Sequence, residues 1–204
     1  MIDNTALFKI SYGLYVLSTR CDGKDNACII NTAMQITDSP KTVAVAVNKK
    51  NYTHDLILLS EHFNVSVISV SADFELFKRF GFASGRDVDK FADFDGAVRA
   101  ENGVMRLSKN SNAYMCARVI KCVDCGTHTI FIGELTDACV LSDEKSVTYE
   151  YYFEHIKPKP APKAEKSKTA YVCKICGYVY EGDELPEDFI CPICKHGASD
   201  FEKL

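Results

Sequence analysis

The chain has 204 residues, 47% of them hydrophobic, with a formal net charge of −4. That length and apolar content suit one ordinary domain plus a small one and exclude general disorder. The weak acidity excludes a polyanion-seeking surface, so nucleic acid is not an expected partner; no apolar run approaches the ~20 residues that span a bilayer, so neither is a membrane.

The opening Met1-Ile2-Asp3-Asn4-Thr5 lacks the basic start and apolar stretch of an export signal, which predicts a cytoplasmic protein. In that reducing setting the ten cysteines are expected to bind metal or do redox chemistry rather than pair as disulfides. Strand signals, short runs rich in β-branched and aromatic residues between turn residues, fall at 13–18, 27–30, 42–47, 64–70, 113–120 and 128–135. Two helices interrupt them. Thr53 is the expected N-cap of one that runs to about Phe63, and Phe74, Phe77 and Phe80 share a helical face in the other, over 73–80. Many strands with few helices predict a mainly β fold closed into a barrel. The Lys/Asn/Thr-rich loop from Asn48 to Thr53 is a candidate phosphate cradle, since helix N-terminal N–H groups and lysine favour an anion; from these residues alone, a solvated loop with an ordinary cap remains open. Cys122 and Cys125 mimic a metal-binding pair, but no second pair stands nearby, and they read as free thiols at a strand end. Cys21, Cys116 and Cys139 read as buried small hydrophobes.

Residues 157–170 hold three prolines and five lysines but no aromatic or large aliphatic residue. Such a stretch cannot bury surface to offset its ordering entropy, and it predicts a semi-stiff tether between a domain at 1–156 and another at 171–204. In the second, Cys173-x-x-Cys176 and Cys191-x-x-Cys194, with fourteen residues between the pairs, supply the four thiolates of a tetrahedral zinc or iron site. So small a unit needs metal binding for much of its folding free energy. Spacing alone leaves a zinc ribbon open; the surroundings favour iron. Gly177 lets backbone N–H groups approach the sulfurs, and Tyr171, Tyr178, Tyr180, Phe189 and Phe201 are expected to pack around the ion. The pattern Cys-x-x-Cys-Gly-Tyr with aromatic-x-Cys-Pro-x-Cys resembles rubredoxin over the whole of 171–204. The short loop between the pairs is closer to the rubredoxin-like part of rubrerythrins, and Lys195 stands where glycine usually follows the fourth ligand.

The stretch from Asn26 to Pro40, then Val43 to Lys49 with Tyr52-Thr53, then Phe80 to Phe91, then Gly126 to Glu134 resembles the flavin reductase-like FMN-binding split barrel, in its flavoredoxin branch. The resemblance implies a six-stranded Greek-key barrel, bound FMN, and a homodimer with its flavin sites near the subunit interface. It implies that Asn26, Cys28, Ile29, Asn31 and Thr32 line the flavin ring. Asn48, Lys49 and Thr53 would hold the ribityl phosphate, with Lys90 reaching it from beyond the loop that carries Ser84 and Arg86. His128 would lie close to the isoalloxazine and steer nicotinamide, and Tyr149, Tyr152 and Phe153 would close the pocket. Thr127 replaces the aspartate that the family has before this histidine.

A nicotinamide delivers two electrons as hydride, an iron held by four thiolates accepts one, and a flavin handles both. A tether raises the effective concentration of the iron near the flavin to roughly the mM range. The domain order resembles the high-molecular-weight rubredoxins of anaerobes. That resemblance implies an NADH- or NADPH-dependent reductase whose electrons pass through FMN and iron to a flavodiiron protein that reduces NO or O2. Glu181, Asp183, Glu184, Glu187 and Asp188 would form the acidic face that docks this partner. Two alternatives stay open: a free flavin or ferric reductase with a zinc-ribbon docking module, and a non-enzymatic FMN/iron carrier reduced by another flavoprotein. No G-x-G-x-x-G fingerprint separates NADH from NADPH.

Overall fold

Short runs rich in β-branched and aromatic residues form antiparallel strands, and a computed structural model describes residues 3–158, 170–182, 184–192 and 194–204. Strands β1 (Tyr15–Cys21) and β2 (Lys24–Ile30) form a hairpin. Its turn, Asp22-Gly23, has positive φ at both residues (49° and 78°), the two-residue geometry whose twist matches the flanking strands. Next come the hairpin β3 (Ala33–Asp38) and β4 (Lys41–Asn48), helix α1 (Tyr52–Ser60) and β5 (His62–Ile68). Helix α2 (Phe74–Phe77) runs into a π turn over Lys78–Phe82. A small hairpin, β6 (Ala97–Arg99) with β7 (Met105–Leu107), precedes the long hairpin of β8 (Ser111–Asp124) and β9 (His128–Val140).

Seven of these strands form one sheet in the order β2-β1-β5-β8-β9-β4-β3. Its edges, β2 and β3, are consecutive in the chain, so the sheet curls until its ends approach without pairing. Cys28 and Ile30 of β2 accordingly share one buried cluster with Val43, Val45 and Val47 of β4. The result is a split barrel with Greek-key crossovers such as β1 beside β5 and β4 beside β9. Six strands supply the interior, as expected; β3 is a seventh, folded back on β4 with its side chains mostly exposed.

Two helix expectations are corrected. Asn51, not Thr53, is the N-cap of α1, and it makes no side-chain cap bond; Thr53 lies inside the first turn and is 1% exposed. The helix also stops at Ser60 instead of Phe63, because Glu61 turns left-handed (φ 57°) and Phe63 is drawn into the barrel core on β5. Asp73 caps α2 by accepting from the Leu76 N–H at 3.2 Å, and Phe77 and Phe80 pack in a second buried cluster outside the barrel. That cluster also takes Val147 and Tyr152, the latter from α3 (Tyr149–Tyr151) and its continuing π turn, Tyr152–Ile156. Of the cysteines read as buried, only Cys116 is; Cys21 is half-buried, and Cys139 is exposed near the end of β9, where that strand leaves the core. Cys122 and Cys125 are exposed and free.

A separate three-stranded sheet, ordered β11-β10-β12, joins β10 (Ala170–Cys173), β11 (Val179–Glu181) and β12 (Phe201–Lys203). Most of the expected tether, residues 159–169, and Asp183 of the acidic face lie outside the described residues. Among the described residues no helix is long and apolar enough to cross a membrane.

Candidate functional site

The two cysteine pairs sit in matching turns. The Cys173 N–H donates to the Tyr178 carbonyl at 2.8 Å and the Gly177 N–H to the Cys173 carbonyl at 2.9 Å; the Cys191 N–H donates to His196 at 2.8 Å and the Lys195 N–H to Cys191 at 2.9 Å. Gly177 and Lys195, the residues after each second ligand, both have positive φ (81° and 61°). These turns bring all four Sγ atoms within 4.8 Å of one another, with Cys173–Cys194 and Cys176–Cys191 each at 3.5 Å. A tetrahedron of metal–sulfur bonds near 2.3 Å has sulfurs about 3.8 Å apart, so the set fits one four-coordinate ion. Burial pushes the Cys176 thiol up to about 12 and raises that of Cys194; a cation in their midst is what makes four clustered thiolates favourable. Tyr171, Tyr178, Tyr180, Phe189 and Phe201 pack against the cluster.

The second site is a pocket of about 250 Å³ at one end of the barrel. Register creates it: β4 and β9 pair Asn48 with His128, which puts both polar residues at the same mouth as Ile29 and Asn31 from the end of β2. The π turn after α2 and the segment around α3 supply an aromatic wall, with the Tyr152 ring 4.6 Å from that of Phe77. Of the residues singled out in the sequence, Ile29, Asn31, Asn48, His128, Tyr149, Tyr152 and Phe153 line this one pocket. The Nδ1 of His128 lies 2.9 Å from the Thr127 hydroxyl.

Asn26, Cys28 and Thr53 form a buried layer behind the wall. The Asn26 amide donates to the Thr53 hydroxyl at 3.1 Å, whereas its Oδ1 has no hydrogen-bond partner among the described residues. Gly85 presses on the same side chain; a Cβ there would come within 2.0 Å of that oxygen. Lys90, 5% exposed, donates to the carbonyls of Ala27 at 2.8 Å and Phe80 at 3.0 Å, and burial lowers its pKa against the opposing effect of Cys28. The remaining residues are not among those lining the pocket. Thr32 donates to the Ala46 carbonyl at 3.0 Å, Lys49 pairs with Asp124 at 2.7 Å, and Ser84 accepts from the Arg86 N–H at 3.1 Å. Arg86 pairs with Asp55 and covers the Tyr52 ring at 4.5 Å.

Sequence reasoning missed Leu14, Ile30, Ala46, Phe77, Gly81, Phe82 and Ile175 in the pocket lining, and named Asn51 only as part of the loop from Asn48 to Thr53. Phe77 was signalled by the aromatic spacing of its helix and Asn51 by its polar loop. Nothing near Ile175, which lies between the first two metal ligands, signalled that it would reach the other site. It also missed His54, a buried strut that bridges Thr129 at 2.9 Å and Asp55 at 3.0 Å.

Apolar faces and an edge of asparagines suit a planar heterocycle with a polar rim, which is what a flavin offers. The model of the flavin reductase like domain matches residues 7–160, and that of the rubrerythrin, rubredoxin-like domain matches 171–202. The chain therefore belongs to the flavin reductase-like family and couples a flavin domain to a four-cysteine iron site. It is 39% identical over 230 aligned residues to the high molecular weight rubredoxin of Moorella thermoacetica, covering 100% of both chains. It is 38% identical to the ferric-chelate reductase (NAD(P)H) of Archaeoglobus fulgidus, over 83% of this chain and 98% of that one. The fold matches that of the NADH:FAD oxidoreductase of Streptomyces globisporus with a TM-score of 0.66 at 20% identity, over 72% of this chain and 90% of that one. The protein is a flavin-based electron-transfer oxidoreductase.

Proposed function

We propose that this protein takes electrons from NADH or NADPH, passes them through FMN to the iron held by Cys173, Cys176, Cys191 and Cys194, and delivers them to a flavodiiron protein that reduces NO or O2. The observation that carries the reading is the adjacency of the two sites: Ile175 of the metal loop lines the pocket, and Phe82 of the pocket packs against the cysteine cluster. Bound FMN supplies the conversion between a two-electron hydride and single electrons. Ile29 and the aromatic wall hold the ring and exclude water, while Asn31 and Asn48 orient its polar edge. The first turn of α1, which has no side-chain cap, offers its N–H groups to the phosphate. His128, braced by Thr127, steers the donor at the mouth. The full-length similarity to a high molecular weight rubredoxin supports the same order of carriers.

The partner docks on the metal module, where Glu181, Glu184, Glu187 and Asp188 are exposed and suit a basic patch. The reading takes the active form as a homodimer through the flavin domain; the exposed Met34 and Ile36 on edge strand β3 are apolar surface that such a contact would cover. Anaerobic titration with NADH and NADPH, followed by addition of a flavodiiron protein, tests the scheme. Flavin and iron absorption should both bleach, and iron should reoxidise when partner and NO or O2 are added. Iron that stays oxidised while flavin bleaches refutes it. The similarity to a ferric-chelate reductase favours a second reading, reduction of ferric chelates at the flavin itself. That reading requires full chelate reduction by a Cys173→Ser variant.

A further inference from the structure

The metal loop and the flavin pocket meet through a small set of contacts. Ile175, 36% exposed, lines the rim of the pocket with His128, Tyr152 and Phe153. Lys157, which follows the π turn carrying Tyr152 and Phe153, donates to the Lys174 carbonyl at 2.5 Å and covers the Phe153 ring at 4.7 Å. The backbone of Gly177 runs so close that a Cβ there would sit 3.5 Å from the Pro158 carbonyl oxygen. The first cysteine turn is therefore the face turned toward the flavin domain, and it brings an apolar side chain to the mouth that a hydride donor must use.

Size limits what the pocket can hold at one time. Hydride transfer needs donor and acceptor atoms about 3–3.5 Å apart, hence a nicotinamide stacked on the flavin ring. The pocket holds about 250 Å³, and Ile175 stands in its lining together with His128, the residue proposed to steer the donor. A flavin ring bound there leaves the mouth as the place for the second ring, and Ile175 occupies part of that mouth. We propose that Ile175 and the nicotinamide occupy the pocket mouth by turns: the metal module docks through Ile175 and Lys157 to receive electrons, and must withdraw to admit the donor. Each hydride brings two electrons and the single iron accepts one at a time. Every turnover thus needs two docked transfers, with the outside acceptor emptying the iron between them. The inference deepens the proposed function and rests on it.

The test uses the full-length protein with flavin and iron bound. Ile175→Glu puts a charge into the apolar mouth, and Lys157→Glu removes the hydrogen bond from the opposite side without touching the metal module. Iron content and visible absorption verify that each variant keeps both sites. When the docked state no longer competes, the apparent affinity rises by the inverse of the fraction previously open, so the KM for the nicotinamide should fall by roughly fivefold in both variants. Stopped-flow transfer from flavin to iron should slow by roughly tenfold, and hydrogen exchange should rise over 149–157 and 173–177. Ile175→Leu should behave as wild type. Unchanged exchange over both segments overturns the docking contact, and an unchanged or raised KM overturns the alternation. Failure of NADH and NADPH to reduce the flavin in every variant would instead sink the proposed function, and the alternation with it, while exchange would still judge the contact.

Discussion

The ammonium of Lys90 sits 2.8 Å from the carbonyl oxygen of Ala27 and so ties the loop after the π turn to the middle of β2. Its second bond, to Phe80 at 3.0 Å, makes it a three-way brace behind the flavin pocket. Lys90→Met keeps the bulk but leaves two buried carbonyls without donors, which should lower stability by about 2 kcal/mol. The loss should appear in the flavin-free protein as well as the loaded one, with weaker flavin binding as β2 relaxes. Thermal melts of both forms and a flavin titration check this; an effect confined to the loaded protein would point to a phosphate contact alone.

Lys195 holds the left-handed backbone that Gly177 holds in the matching turn. A side chain there costs about 1–2 kcal/mol that glycine avoids. Lys195→Gly should therefore stabilise the metal module by about 1 kcal/mol and slow iron loss to a chelator. Gly177→Ala should do the reverse. Following the visible absorption of the iron during heating and chelation measures both.

His128 lines the pocket mouth, and its ring meets the hydroxyl of its neighbour Thr127 through Nδ1. His128→Ala should slow flavin reduction by nicotinamide roughly tenfold, through lost positioning, while changing flavin affinity little. Stopped-flow reduction and equilibrium flavin binding separate the two effects. A variant that loses its flavin without slowing would assign His128 to holding the ring.

Hydrogen bonds from His54 first, then Arg86, hold the Asp55 carboxyl below the usual carboxylate range. A folded-state pKa below the unfolded one contributes stability at pH values above the unfolded pKa and loses it as pH falls through the folded pKa. The carboxyl is 41% exposed, so solvent screening keeps the contribution under about 1 kcal/mol. Asp55→Asn should be less stable than wild type near neutrality, and the difference should shrink below about pH 4. Denaturant melts across that range test the sign.

The metal centre was legible in the sequence because its chemistry is local. Each ligand pair is a short turn whose geometry depends on the next two residues, and the aromatic residues around it are fixed by the same few positions. The barrel was legible as a class, since short runs of β-branched and aromatic residues between turn residues mark strands wherever they end up. What could not be read was Thr53 as a buried partner of Asn26 instead of a helix cap, because that choice depends on α1 lying across β1 and β2. Lys90 was expected at a phosphate and was found bonded to two carbonyls, since only the folded chain brings Ala27 and Phe80 to the same point. Composition and spacing alone thus determined two units, a four-thiolate ion and a β-rich partner. The tertiary structure alone decided that Ile175 meets the pocket at the end of the barrel, because contacts between distant segments arise from sheet curvature and register, which no single stretch of sequence carries.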